Sequence, residues 1–301
     1  MSTIIKKEKL VKLLVSPAVI YSFIAGVLPV LYALRNSLYN INIRYPTRAV
    51  KFIGLDNFVN ILQTDRYQTA LRNSLLFSFE GTFGAVILGF AIALYLYFYL
   101  RDRPIILTLL STLLVLPVLA GKVTNAYIWK LLYDPVLGII NNIIRGIGFG
   151  TVEFLSSRSL AMHSIVFTDI WQWAGFVALF LYAGLASLPE EFFEEARVIG
   201  ASFFQTMRYV ILPNLKGLFL AVFLLKFMIS LRSFGLIKVM TGGGPGVATE
   251  TVDMYLNWLA VGGRGELSKA SAGAIIMLII TIITFTIIIR FYQRQKKEGA
   301  E

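Results

Sequence analysis

Cysteine is missing from all 301 residues, and histidine occurs once. The first absence excludes disulfides and thiolate metal sites, and the second leaves no imidazole cluster for a metal or a histidine-based catalytic centre. Charge is scarce too. Asp, Glu, Lys and Arg make up 15% of the chain, against roughly 25% in soluble domains, while 57% of residues are hydrophobic. Such a chain belongs in a bilayer. Acidic residues are the rarer sign, 17 against 28 Lys and Arg, for a net charge of +11. The basic residues do not alternate with aromatic stacking arrays, so the charge is a membrane-surface property and nucleic acid is not an expected partner.

Runs of the roughly 20 apolar residues needed to cross the hydrocarbon core lie at about 11–34, 75–99, 105–128, 164–185, 218–240 and 270–289. The fold class this predicts is an all-α membrane protein with six transmembrane helices, one domain over residues 1–301. The first run is too long for a cleaved signal peptide, carries Pro17 and Pro29, and has no small-residue cleavage pattern behind it. It is expected to stay in the chain. Lys and Arg crowd three span ends: Lys6, Lys7, Lys9 and Lys12; Arg101 and Arg103 in the "LRDRP" turn; Arg290, Arg294, Lys296 and Lys297 in the tail. These ends are expected in the cytoplasm, with both termini on that side. The loop from Asn40 to Arg72 holds Arg44, Arg48, Lys51, Arg66 and Arg72 and runs against the trend. Longer loops obey the rule less strictly.

Between the fourth and fifth spans, residues 187–213 form an acidic, half-greasy loop that falls in the cytoplasm on this topology. Glu190, Glu191, Glu194 and Glu195 lie within six residues and phenylalanines follow. "SLPE" predicts a helix with Ser187 as N-cap and Pro189 in its first turn, and "SFFQ" predicts a second with Ser202 and Gln205 as a capping box. Gly200 separates them. Phe203, Met207, Val210 and Ile211 recur at i, i+4, i+7 and i+8, an apolar stripe on the second helix. Four glutamates beside an anionic leaflet disfavour a helix resting on lipid, so the pattern points to a helix pair held by another protein.

Glu194, Ala196, Gly200, Ala201, Leu212 and Pro213 fall at the spacing of the EAA loop of binding-protein-dependent ABC importers, in which a Leu-Pro closes the second helix. The chain resembles their sugar permease branch, the maltose type. The stretches "FIGLDNF" (Phe52–Phe58), "ALRNSLLF" (Ala70–Phe77), "WKLLYDPVLGIIN" (Trp129–Asn141), "DIWQW" (Asp169–Trp173) and "MTGGGPGVATETV" (Met240–Val252) carry the likeness along nearly the whole chain. Glu195 stands where the family usually has its first alanine, and Ile199 where it has an aspartate. The resemblance implies a cell-membrane permease subunit whose loop, with Glu194, Glu195, Ala196, Gly200, Ala201, Leu212 and Pro213, docks on a cytoplasmic ATPase. It also implies a second homologous permease, two ATPase subunits, an extracellular solute-binding protein and a carbohydrate substrate. ATP and Mg would be bound by the partner ATPase, and this chain would be no enzyme.

The residues agree on that last point. "TGGGPG" lacks the Lys and the hydroxyl residue that a phosphate-binding P-loop needs after its final glycine, and reads as a tight extracellular turn. In the fifth span, Lys226, Ser230 and Ser233 sit at i, i+4 and i+7 on one helical face. Lys226 lies about 12 Å in from one side and Asp169, on the fourth span, about 13 Å in from the other. An ionisable group at that depth is a functional candidate. Two roles fit Lys226: contact with substrate, or a buried pair with Asp169. By the resemblance, Trp173 and Phe176 occupy cavity positions, and flat rings suit pyranose faces. His163 is expected at the membrane interface. The substrate pathway residues are thus Asp169, Trp173, Phe176, Lys226, Ser230 and Ser233. Glycerol phosphate or a polyol is an alternative substrate. A membrane-embedded enzyme is the alternative of another class, but its convergent acid, base or metal groups are missing from the spans.

Overall fold

The computed structural model of the chain describes residues 2–298, with side chains for residues 14–290 and 293; the side chains of Lys6, Lys7, Lys9, Lys12, Arg294, Lys296 and Lys297 lie outside the described residues. It is all-helical, with no named strand among the described residues. In chain order the helices are α1 (Ser2–Ser37), α2 (Asp56–Leu62), α3 (Asp65–Tyr95), α4 (Pro104–Leu119), α5 (Gly121–Leu132), α6 (Ile139–Gly146) and α7 (Ala161–Ala186). After them come α8 (Glu190–Val198), α9 (Phe203–Thr206), α10 (Leu212–Ser230), α11 (Phe234–Met240), α12 (Val252–Asn257) and α13 (Leu267–Glu298). Among the described residues five stretches are long and apolar enough to cross a membrane, and α4 with α5 makes a sixth if that bent pair is one span.

The chain divides into two compact units. The first comprises residues 1–68 and 255–301. In it α13 packs on α1 and α2, and Tyr67, fully buried, donates its hydroxyl to the Gly273 carbonyl at 2.9 Å. Asn57 ties α2 to the end of α1 by donating to the carbonyls of Ser37 and Tyr39.

The second unit, residues 69–254, is organised on α7, the most buried of the candidate spans. Small residues let its neighbours come close. A Cβ on Gly89 of α3 would stand 2.7 Å from Val177 Cγ1, and one on Gly175 of α7 would strike the Leu114 carbonyl of α4. Helices in hydrocarbon associate through such backbone approaches. Two apolar clusters flank α7: Phe77, Trp129, Met162 and Leu236 toward its start, and Tyr97, Val177, Leu185 and Ile211 toward its end. The "TGGGPG" stretch is a compact turn, with Gly242, Gly243 and Gly246 at positive φ, fastened to α3 where Asn73 donates to the carbonyls of Val247 and Glu250.

Four expectations need correction. The third apolar run is not one straight helix, because α5 leaves α4 at 94°. Pro117 removes a backbone donor near the end of α4, Gly121 adopts φ +78°, and Asn125 donates to the Pro117 carbonyl at 2.5 Å. The fifth run breaks after Ser230, and α11 starts afresh at Phe234. Ser187 caps no helix N-terminus: it closes α7, its hydroxyl donating to the Gly184 carbonyl, while Pro189 stands at the N-cap of α8. Leu212 and Pro213 do not close the second short helix but open α10, so that Phe203–Ser230 runs through as one stretch. A π turn at Met207–Ile211 widens the helix just ahead of the proline ring, where a regular turn would press the ring on the carbonyl four residues back.

Candidate functional site

The loop between α7 and α10 is anchored on one side and bare on the other. Phe193 and Ala196 of α8 are buried, and the Phe193 ring lies 5.4 Å from that of Tyr97 and 6.3 Å from that of Phe98. Arg101, in the turn after α3, donates to Glu190 Oε1 at 2.6 Å and to the Tyr97 hydroxyl at 3.1 Å. The hydrogen bond and the charge of Glu190 hold the Arg101 guanidinium above its usual pKa range.

Helix α8 ends in a Schellman motif: Ala201 N–H donates to the Ala196 carbonyl and Gly200 N–H to the Arg197 carbonyl. Gly200 takes φ +69° there, a conformation open to glycine and costly to other residues. Next comes the expected capping box, in which Ser202 Oγ accepts from Gln205 N–H and Gln205 Oε1 accepts from Ser202 N–H at 2.7 Å. Glu194 and Glu195 are exposed, and Val198 and Ile199 point outward at 87% and 80% exposure. Between α8 and α9 lies a groove of about 610 Å³ lined by Phe192, Glu195, Ala196, Gly200, Gln205 and Tyr209. Of the expected stripe, Ile211 is fully buried, Met207 and Val210 are half-buried, and Phe203 packs edge-on to Phe98 but stays 49% exposed. Leu212 and Pro213 lie on the exposed surface of the first turn of α10.

The second group of predicted residues meets inside the unit. Lys226 Nζ donates to Asp169 Oδ2 at 2.6 Å and to Ser230 Oγ at 2.5 Å, with both charged side chains at 1% exposure or less. Asp169 falls on α7 between the residues of the two apolar clusters, so the pair spans the junction of the cores. Ser233 lies beyond the helix end yet joins the group by donating to the Ser230 carbonyl at 2.8 Å. Lys226 Nζ also stands 5.4 Å from the centre of the Trp173 ring. Of the two roles open to Lys226 in the sequence, this geometry makes the pair.

A cleft of about 110 Å³ opens beside it, lined by Trp173, Phe176, Phe180, Leu218, Leu225 and Lys226. Trp173 and Phe176 meet edge-on at 5.6 Å. Asp169 Oδ1, Gln172 Oε1 and Trp173 Nε1 have no hydrogen-bond partner among the described residues. His163 is paired through Nδ1 with Glu80 Oε2 at 3.0 Å.

Sequence reasoning missed three contributors. Lys122 of α5 donates to the carbonyls of Ile229 and Arg232, closing the broken end of α10. Gly81 of α3 leaves room for Asp169, since a Cβ there would lie 2.7 Å from Asp169 Oδ2. Arg101 was marked only as a topogenic charge. No local signal pairs it with Glu190, 89 residues away. His, Asp and Glu form no group able to hold a metal ion among the described residues.

Residues 81–297 match the family of binding-protein-dependent transport system inner membrane components. Among curated relatives, the trehalose/maltose transport permease of Thermococcus litoralis is 29% identical and covers 94% of this chain and 93% of its own. The glucose import permease of Saccharolobus solfataricus is 31% identical over 81% of this chain and 85% of its own. The sn-glycerol-3-phosphate permease of Yersinia pestis is 29% identical over 81% of each. In fold, the chain superposes on one from the crystal structure of a bacterial alginate ABC transporter in complex with an alginate pentasaccharide-bound periplasmic protein. The TM-score is 0.82 at 20% identity, over 99% of this chain and 98% of that one.

Proposed function

Because this chain belongs to the family of binding-protein-dependent transport system inner membrane components, it is a multi-pass ABC permease subunit and not itself an enzyme, and we propose that it carries a neutral carbohydrate inward. A second homologous permease completes the pathway, two ATPase subunits bind ATP and Mg in the cytoplasm, and an extracellular solute-binding protein delivers the sugar. Both termini lie in the cytoplasm.

The observation that carries the coupling role is the half-anchored loop. Phe193, Ala196 and the Arg101–Glu190 bond hold its inner side, whereas Glu194, Glu195, Val198 and Ile199 face outward as an acidic and greasy edge. That edge suits an ATPase cleft, with Gly200, Ala201, Leu212 and Pro213 setting the path of the chain behind it. The Lys226–Asp169 bond fastens α10 to α7, the two helices that leave the loop. Movement of the ATPase would then tilt both together, in the manner of alternating access.

The sugar reading rests on the trehalose/maltose and glucose relatives and on Trp173 and Phe176 beside the cleft, with Asp169, Lys226, Ser230 and Ser233 behind them. The glycerol-3-phosphate relative favours a second reading, an anionic or polyol substrate. The charge of Lys226 is already matched by Asp169, which favours the neutral one. Uptake of radiolabelled maltose, trehalose, glucose and glycerol 3-phosphate by the complete transporter in proteoliposomes tests both. Selective uptake of glycerol 3-phosphate overturns the sugar reading, and uptake without ATP overturns the coupling.

A further inference from the structure

The segment after α4 distributes its charges in an unusual way. Between Gly121 and Gly150 the charged residues are Lys122, Lys130, Asp134 and Arg145, and all four are bound back to protein groups. Lys122 donates to the carbonyls of Ile229 and Arg232, and Lys130 to that of Val239 at 3.1 Å. Asp134 Oδ1 accepts from the N–H groups of Val136 and Leu137. Arg145 donates to the carbonyls of Pro135 and Val136 and to Asn142 Oδ1. Lys130, Asn142 and Arg145 are exposed beside them, but the large side chains that face outward are apolar: Tyr127, Leu131, Leu137, Ile139, Ile143 and Phe149 are 59% to 82% exposed. A lobe facing water sorts its residues the other way.

The neighbouring geometry says what the outward face meets. Helix α4 buries none of its residues, spans about 24 Å by helix rise, and carries no charged residue, as suits a span facing lipid. Helix α5 leaves it at 94°. A helix at right angles to a span runs along the membrane surface, and α6, which packs against α5, has Ile139 and Ile143 exposed on one side and Asn141 buried on the other.

We propose that α5 and α6 lie in the outer-leaflet interface, with Tyr127, Leu131, Leu137, Ile139, Ile143 and Phe149 immersed in lipid. The occupant is lipid and not a partner protein because a specific protein interface carries about one hydrogen bond per 100–200 Å², and the charged groups of this face, though Lys130 and Arg145 are exposed, are taken up by hydrogen bonds within the chain. It is also continuous with the lipid-facing surface of α4.

The chain has no cysteine, so a single reporter can be placed at will. The full chain is reconstituted in nanodiscs of phosphatidylethanolamine and phosphatidylglycerol, with bimane on Leu131→Cys, on Ile143→Cys and, as an aqueous reference, on the exposed Arg158→Cys. Lipid bearing a shallow nitroxide should quench the first two about threefold more than the reference, and iodide should quench them about threefold less. Both substitutions are at exposed positions, and Ile139→Cys serves in place of either that folds poorly. Iodide quenching equal to that of Arg158→Cys overturns the proposal. So does shielding from both quenchers, which would mean that protein covers the face. Neither readout involves transport, so the outcome is independent of the substrate.

Discussion

Lys226→Met keeps the length and apolar stem of the side chain while removing the cation hydrogen-bonded to Asp169. The carboxylate would be left fully buried, with Oδ1 already without a partner among the described residues. Stranding one member of a buried pair costs about 3–5 kcal/mol, or roughly two to four powers of ten in an equilibrium constant. The lost bond to Ser230 Oγ adds about 1 kcal/mol. The yield of assembled transporter and its thermal midpoint, read by fluorescence size exclusion, should both fall steeply. Adding Asp169→Asn removes the stranded charge and should restore most of the loss, to within about 1–2 kcal/mol of the parent, because contacting residues are not additive. A Lys226→Met protein of parental stability would refute the pairing argument. Intact assembly with transport lost in both single and double variants would instead assign Lys226 to the substrate.

Four further outcomes follow from the loop, its supports and the neighbours of Asp169. Gly200→Val forces a β-branched residue into the left-handed region at φ +69°, costing about 1–2 kcal/mol locally, and should separate ATP hydrolysis from uptake; the exposed Glu194→Lys should lose uptake with no change in thermal midpoint, and normal uptake in both would sink the docking model. Arg101→Glu should leave yield unchanged, because the pair is partly exposed (39% and 63%) and such pairs are worth about 0–1 kcal/mol, but should lower sugar-stimulated ATP hydrolysis. Adding Glu190→Arg should recover it, and failure to recover would remove this bond from the coupling path. Gly81→Ala brings a methyl to 2.7 Å from Asp169 Oδ2 and should lower the thermal midpoint; an unchanged midpoint would show that α3 and α7 are not locked at this level.

The long apolar runs were legible because a bilayer demands a fixed length of uncharged helix, and α7 and α13 contain the runs marked for them. Gly200 and the Ser202–Gln205 capping box were legible because their bonds reach only three to five residues along the chain. Ser187 was misassigned because the same hydroxyl can close the helix behind it or open the one ahead, and α7 had the first claim on it. The bend at Gly121 and the break after Ser230 were hidden by apolar composition, which continues through both. They stand because distant groups satisfy the freed carbonyls, Lys122 among them. Asp169 and Lys226 were recognised by depth, but only packing brings them to 2.6 Å.

The neutrality of that pair bears on how the protein meets the membrane potential. Carrying one elementary charge across the whole field takes about 2.3 kcal/mol per 100 mV. An unpaired Lys226 displaced through a tenth of the field would therefore bias one end state against the other by about 0.2 kcal/mol per 100 mV. With Asp169 travelling beside it at hydrogen-bond distance, the two contributions cancel. The rocking proposed for this region would then carry no net gating charge from the pair, and would leave the proposed ATPase partners to set the direction.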